Sequence, residues 1–162
     1  MSAGILYLHG FCSSPESWKA KVLGEAMRAR GLADRFFCPA LSPVPNEAIA
    51  QAEAMIEARD DELTLVGSSL GGYYATYLAE KHDLRAALVN PAVVAPLSLN
   101  AYIGTQKNLY TGETFEFTAG TRRTVKRVTL KPVKGSAKGV VRASYRSASA
   151  SRVVVRTRIG EG

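Results

Sequence analysis

Gly67-Ser68-Ser69-Leu70-Gly71 is a Gly-x-Ser-x-Gly run, the spacing at which a sharp turn lifts a serine hydroxyl clear of the chain as a nucleophile. Such a turn strains the backbone at the serine, so the residues two positions to either side must be very small. Gly67 and Gly71 meet that demand. Ser69 would attack an acyl carbonyl. The N–H of Leu70, at the positive end of a helix, would hold the oxygen that becomes negative. Chance alone produces such a run in roughly one chain of this size in ten, so the flanks decide. The apolar run Leu63-Thr64-Leu65-Val66 leads into it, and a helical stretch follows from Leu70. The plainer alternative is a Gly-rich turn in which Ser69 only caps the helix.

A second candidate is His9-Gly10-Phe11, directly after the strand-like run Ile5-Leu6-Tyr7-Leu8. Gly10 would let the backbone come close to a reacting group. The N–H of Phe11 would be the second oxyanion donor, of the kind an α/β hydrolase draws from the loop after an early strand. The alternative is a turn whose histidine is satisfied locally.

Placing these two loops together requires particular elements. Ser14-Pro15-Glu16 predicts a helix start, with Trp18, Val22, Leu23, Ala26 and Met27 on one face and Gly31 as its stop. Arg35-Phe36-Phe37-Cys38 predicts a second strand. Asn46 is expected to cap a helix with Ile49, Ala52, Met55 and Ile56 inward. Residues 63–66 predict a third strand, residues 70–80 a helix, and Ala86-Ala87-Leu88-Val89 a fourth strand. Strands alternating with helices on short connections predict an α/β sandwich with a mostly parallel central sheet. Ligand chemistry in such sheets gathers at the carboxyl ends of the strands, where His9-Gly10 and Gly67-Ser68-Ser69 fall.

Leu6-Tyr7-Leu8-His9-Gly10-Phe11, Ser13-Ser14-Pro15, Leu65-Val66-Gly67-Ser68-Ser69-Leu70-Gly71-Gly72-Tyr73-Tyr74-Ala75-Thr76, Val89-Asn90-Pro91-Ala92 and Tyr110-Thr111-Gly112-Glu113 together resemble the YqiA-like esterases, small bacterial members of the α/β-hydrolase superfamily. The resemblance runs over about residues 3–118. It implies an α/β-hydrolase-type fold and a serine esterase or thioesterase acting on small acyl esters. Ser69 is then the nucleophile, and the N–H groups of Phe11 and Leu70 form the oxyanion hole. His9, Gly10, Gly67 and Gly71 support the loops. It implies no metal or organic cofactor. The aromatic stretch from Tyr102 to Phe117 is expected to be a lid-like excursion or a loop packed over a site.

The resemblance also implies a catalytic acid and a histidine late in the chain, yet residues 119–162 contain neither Asp nor His. The two histidines are His9 and His82. His82 lies at the far end of the helix that Ser69 begins, on the order of 20 Å away, and is expected at the surface. The acid and base therefore stay unassigned, and activity is expected to be impaired.

Charge changes at the same place. Residues 1–120 hold 9 Lys and Arg against 13 Asp and Glu, a net −4; residues 121–162 hold 12 Lys and Arg against Glu161, a net +11. The expected organisation is a hydrolase core over residues 1–120, incomplete at its end, followed by a basic tail at 121–162 that is weakly ordered or non-native. A change of reading frame near residues 118–121 would account for the missing residues and the charge switch together. The competing classes are a hydrolase-fold protein without activity, or anion or nucleic-acid binding through the tail. Nucleic acid is disfavoured, since the tail has only Tyr145 as an aromatic and no recognition motif. No apolar run reaches the ~20 residues of a membrane span. With Cys12 and Cys38 too few for a disulfide framework, a cytoplasmic setting is expected.

Overall fold

The computed structural model describes residues 4–92 and 99–118, and the backbone of three further segments within residues 131–158. Its centre is a four-stranded parallel sheet in the order β2-β1-β3-β4, formed by β1 (Gly4–Leu8), β2 (Phe36–Phe37), β3 (Leu63–Ser68) and β4 (Arg85–Val89). The helices α1 (Trp18–Ala29), α2 (Pro45–Glu57) and α3 (Leu70–His82) connect them in turn. Right-handed crossovers place α1 on one face and α2 with α3 on the other. The α/β architecture expected from the strand and helix pattern is the one observed.

The core lies between the sheet and α2–α3, where Leu6, Leu8, Leu65, Ala52, Ala75 and Leu78 are fully covered. On the opposite face the prediction for α1 needs correcting. Ala20 and Met27 are buried, while Trp18 is 71% and Val22 44% exposed. Small residues decide the contact: a Cβ on Gly24 would stand 3.1 Å from the Phe36 ring. The face that meets the sheet is thus Ala20-Gly24-Met27, one residue per turn. The bulky Trp18 and Val22 point away from it.

Helix starts also differ from expectation. Ser14 closes a turn ahead of α1, accepting from Glu16 N at 3.1 Å through its hydroxyl. Pro45, not Asn46, opens α2, because a proline at the first position gives up a donor the helix leaves unpaired anyway. Its buried stripe is Ala48, Ala52 and Ile56, with Ile49 and Met55 half-buried beside it. Gly31 does end α1, at φ +71°, and Asp83 closes α3 in the same left-handed region.

After β4 the chain forms a short 3₁₀ turn (Leu99–Tyr102) and an antiparallel hairpin of β5 (Gly104–Lys107) and β6 (Thr114–Phe117). Strands β7 (Lys131–Pro132), β8 (Val140–Arg146) and β9 (Arg152–Arg158) pair antiparallel in a separate sheet. The rest of the expectation for residues 121–162 lies outside the described residues.

Candidate active site

The sheet reverses its winding between β1 and β3: β2 is added on one side of β1, and β3 and β4 on the other. The carboxyl ends of β1 and β3 diverge there and leave a crevice, the usual ligand position in open α/β sheets. His9-Gly10-Phe11 leaves β1 and Ser68-Ser69-Leu70 leaves β3 at this point. The register pairs Leu8 with Gly67 in its last step.

Ser69 sits at the head of α3 with φ +53° and ψ −120°, a conformation a non-glycine residue holds only when its surroundings impose it. Those surroundings are identifiable. The Ser69 N–H donates to Val89 O at 3.1 Å, and its carbonyl accepts from Gly72 N and Ala92 N, both at 2.9 Å. A Cβ on Gly67 would lie 2.2 Å from Gly71 O, and one on Gly71 would lie 2.0 Å from Leu8 O. The two glycines therefore let α3 descend onto the ends of β1 and β3. The Ser69 side chain is exposed. Among the described residues no side chain hydrogen-bonds its hydroxyl.

Gly10 faces this serine. A Cβ there would stand 3.1 Å from Ser69 Cβ and 3.7 Å from Ser69 Oγ. Beyond it, the N–H groups of Phe11 and Leu70 donate to no acceptor among the described residues. The residues predicted for nucleophile, oxyanion donors and supporting loops thus lie together.

His9 is buried, and both ring nitrogens are engaged. Nε2 accepts the Leu41 N–H at 2.9 Å, so the proton is on Nδ1, which donates to Gly10 O at 3.0 Å. Burial lowers its pKa and keeps it neutral. This histidine ties the β1 loop to the loop before α2 and has no free nitrogen for proton transfer. His82, expected at the surface, is half-buried at the end of α3 and bonded to Glu53 of α2. Lys81 Nζ reaches the same carboxylate at 2.6 Å and, as its main partner, holds Glu53 below the ordinary carboxylate range. Glu53, Glu57 and His82 place ligand-type atoms within 4.8 Å of one another. The Lys81 ammonium already occupies the charge of that group.

The stretch from Tyr102 to Phe117 contributes more than a loose cover. Phe11 packs edge-on against Tyr102, Phe115 and Phe117, with centroids 5.3, 5.6 and 4.9 Å away, and Phe117 is fully buried. The hairpin was not expected as strands. Its signal was present in Phe115-Glu116-Phe117, which alternates in and out, and in Gly112 at φ +77° in the turn. Phe11 separates three cavities. One of about 340 Å³ is lined by Ser69, Leu70, Leu99, Tyr102 and Lys107. Another, about 200 Å³, is lined by Ser69, Ser68, Ser17, Trp18 and Lys19. The third, about 410 Å³, lies behind Phe11 toward Leu41 and Glu113 and does not include Ser69.

This fold, with a strained serine at the β3–α3 turn, is of the α/β-hydrolase type. The model of Uncharacterised protein family UPF0227 matches residues 4–146, past the change of composition at residue 120, and the chain belongs to that family. Among solved structures, Est1E from Butyrivibrio proteoclasticus, bound to ferulic acid, superposes with a TM-score of 0.53 at 13% identity, over 76% of this chain and 60% of that one. The pyrethroid hydrolase PytH gives 0.46 at 17% identity, over 87% and 56%. The chain thus spans about 60% of the length of Est1E. Among the described residues no helix is long and apolar enough to cross a membrane.

Proposed function

We propose that the protein is a carboxylic-ester hydrolase in which Ser69 is the nucleophile and the N–H groups of Phe11 and Leu70 form the oxyanion hole. The observation that carries this reading is the strained, exposed Ser69 at the head of α3, facing Gly10 across the crevice. Ser69 Oγ forms a bond to the carbonyl carbon of a small ester or thioester. The bond to the leaving alcohol or thiol breaks, and the leaving group takes up the serine proton by way of water. A water molecule then cleaves the acyl-serine to a carboxylic acid and restores Ser69. No metal or organic cofactor enters this scheme.

The scheme lacks an assigned base, since His9 is engaged at both nitrogens and His82 is held by Glu53. A serine hydrolase without its base retains ~10³–10⁴-fold acceleration over water from oxyanion stabilisation and binding. We therefore read this chain as an impaired esterase, with a core over residues 1–120 and a basic tail at 121–162. Hydrolysis of a short nitrophenyl ester should vanish in Ser69→Ala. In the unaltered chain it should rise with pH without a histidine plateau near pH ~6.5. Ser69-independent turnover, or no labelling of Ser69 by a fluorophosphonate, would remove the reading.

The +11 charge of residues 121–162 favours a second reading, binding of a polyanion through the tail in a non-catalytic protein. That binding should fall steeply with salt and survive Ser69→Ala. Sequencing the gene through codons 110–130 in all frames tests the origin of the tail. A second frame carrying a later Asp and His would assign the acid and base to that product.

A further inference from the structure

Four lysine side chains are described: Lys19, Lys21, Lys81 and Lys107. Lys21 is paired with Glu16 at 2.8 Å and Lys81 with Glu53 at 2.6 Å. The other two have no carboxylate partner among the described residues. These two line the cavities that open on Ser69. Lys107 of β5 is in the larger, with Leu99 and Tyr102, and Lys19 of α1 is in the smaller, with Ser17 and Trp18. Neither cavity has an acidic residue in its lining. Glu113 lines the third cavity, which Ser69 does not border. Each of the two cavities that border Ser69 thus carries a lysine and, among the described residues, no acid in its lining.

We infer that the ester accepted at Ser69 is an anion, whose carboxylate or phosphate is drawn and held by Lys107 and Lys19. This rests on the esterase reading. Two exposed lysines in the lining of these cavities raise the local concentration of an anionic substrate and speed its capture, an effect that salt screens. In the smaller cavity the hydroxyls of Ser17 and Ser68 hydrogen-bond the Tyr7 phenol, so Lys19 is the cationic group of that lining. The larger cavity is lined by apolar Leu99 and Leu109 as well as Lys107, which suits a chain that ends in a charge.

The test uses an acetoxynitrobenzoate and its methyl ester, which share an acetyl group and nearly the same leaving group but differ by one charge. At low salt the unaltered chain should show roughly tenfold higher kcat/KM for the anion, shrinking toward parity at about 0.5 M salt. In Lys19→Gln/Lys107→Gln the ratio of the two should fall close to one. An aryl phosphate bearing the same acetyl ester separates phosphate from carboxylate preference. Equal turnover of charged and neutral esters, or a ratio untouched by the double substitution, overturns the inference. If neither ester is turned over through Ser69, the esterase reading fails separately. Trp18, the chain's single tryptophan, then reports on the same cavity. Fluorescence quenching by the nitrohydroxybenzoate product, lost in the double variant, upholds the anion site, and its absence overturns it.

Discussion

The side-chain amide of Asn108 donates to the main-chain carbonyl of Ser13 at 2.9 Å. One residue on, the Leu109 N–H donates to Cys12 O at 2.9 Å. The same Asn108 accepts from Tyr110 N and Thr111 N at 2.9 and 3.0 Å. It therefore shapes the β5–β6 turn and fastens it to the loop that carries Phe11. Asn108→Asp keeps the acceptor and loses the donor, so it should preserve the turn and undo the tie. We expect a loss of about 1–2 kcal/mol, seen as faster amide exchange across Gly104–Lys107 and Thr114–Phe117 with β1 and β3 unchanged. Uniform exchange throughout would show that the tie does not matter.

His9 should act on stability rather than on proton transfer. His9→Ala leaves the Leu41 N–H without its acceptor, a cost of about 1–3 kcal/mol. The pH dependence has a definite sign. Burial lowers the folded-state pKa below the unfolded value, so the unfolded chain takes up the proton first. The contribution of His9 is complete above pH ~6.5 and is lost as pH falls through the folded-state value. Urea unfolding at several pH values should show this loss in the unaltered chain and not in His9→Ala.

Two glycine substitutions should differ sharply. Gly71→Ala drives a methyl group to 2.0 Å from Leu8 O, and backbone on both sides must move, so a loss of more than ~3 kcal/mol or failure to fold is expected. Gly31→Ala meets nothing within 4 Å and suffers only from its φ of +71°. It should cost about 1 kcal/mol. Thermal unfolding of both distinguishes close approach from backbone preference; similar losses would contradict the account.

Ser69→Gly should make the protein more stable. At φ +53° and ψ −120° the serine bears strain of order 1–3 kcal/mol that glycine does not. A midpoint shift of about 1 kcal/mol toward stability, with hydrolysis abolished, is the expected pair of results. A destabilised Ser69→Gly would mean that the turn is not strained.

The parallel sheet and the placement of the two loops were legible because strand ends carry their own punctuation: His9-Gly10 after one apolar run, Gly67 within another. Ser69 was legible for the same reason, since the glycines flanking it are demanded by backbone clearances that no larger residue meets. Amphipathic reasoning misled at α1. It weighs bulky side chains, whereas α1 buries Ala20 and sets Gly24 against the Phe36 ring, residues whose value is their small size. The β5–β6 hairpin was hidden because its four-residue strands are too short for periodicity to emerge, and its ties to the β1 loop, Asn108 to Ser13 O and Leu109 N–H to Cys12 O, join residues far apart in sequence. His82 was mistaken for a surface group because its partner, Glu53, lies on another helix.

The β1–β3 pairing, Gly4 against Leu63 through Leu8 against Gly67, also sets a timetable for synthesis. During translation β1 emerges first and has no neighbour on this side until more than half of the described core has followed. Ser69 cannot acquire its constrained geometry before then, because Val89 and Ala92, which hold its backbone, come later still. Ser69 therefore lacks these two backbone partners in every nascent chain that ends before β4. The last wall of the crevice, the hairpin, arrives after the nucleophile is already in place.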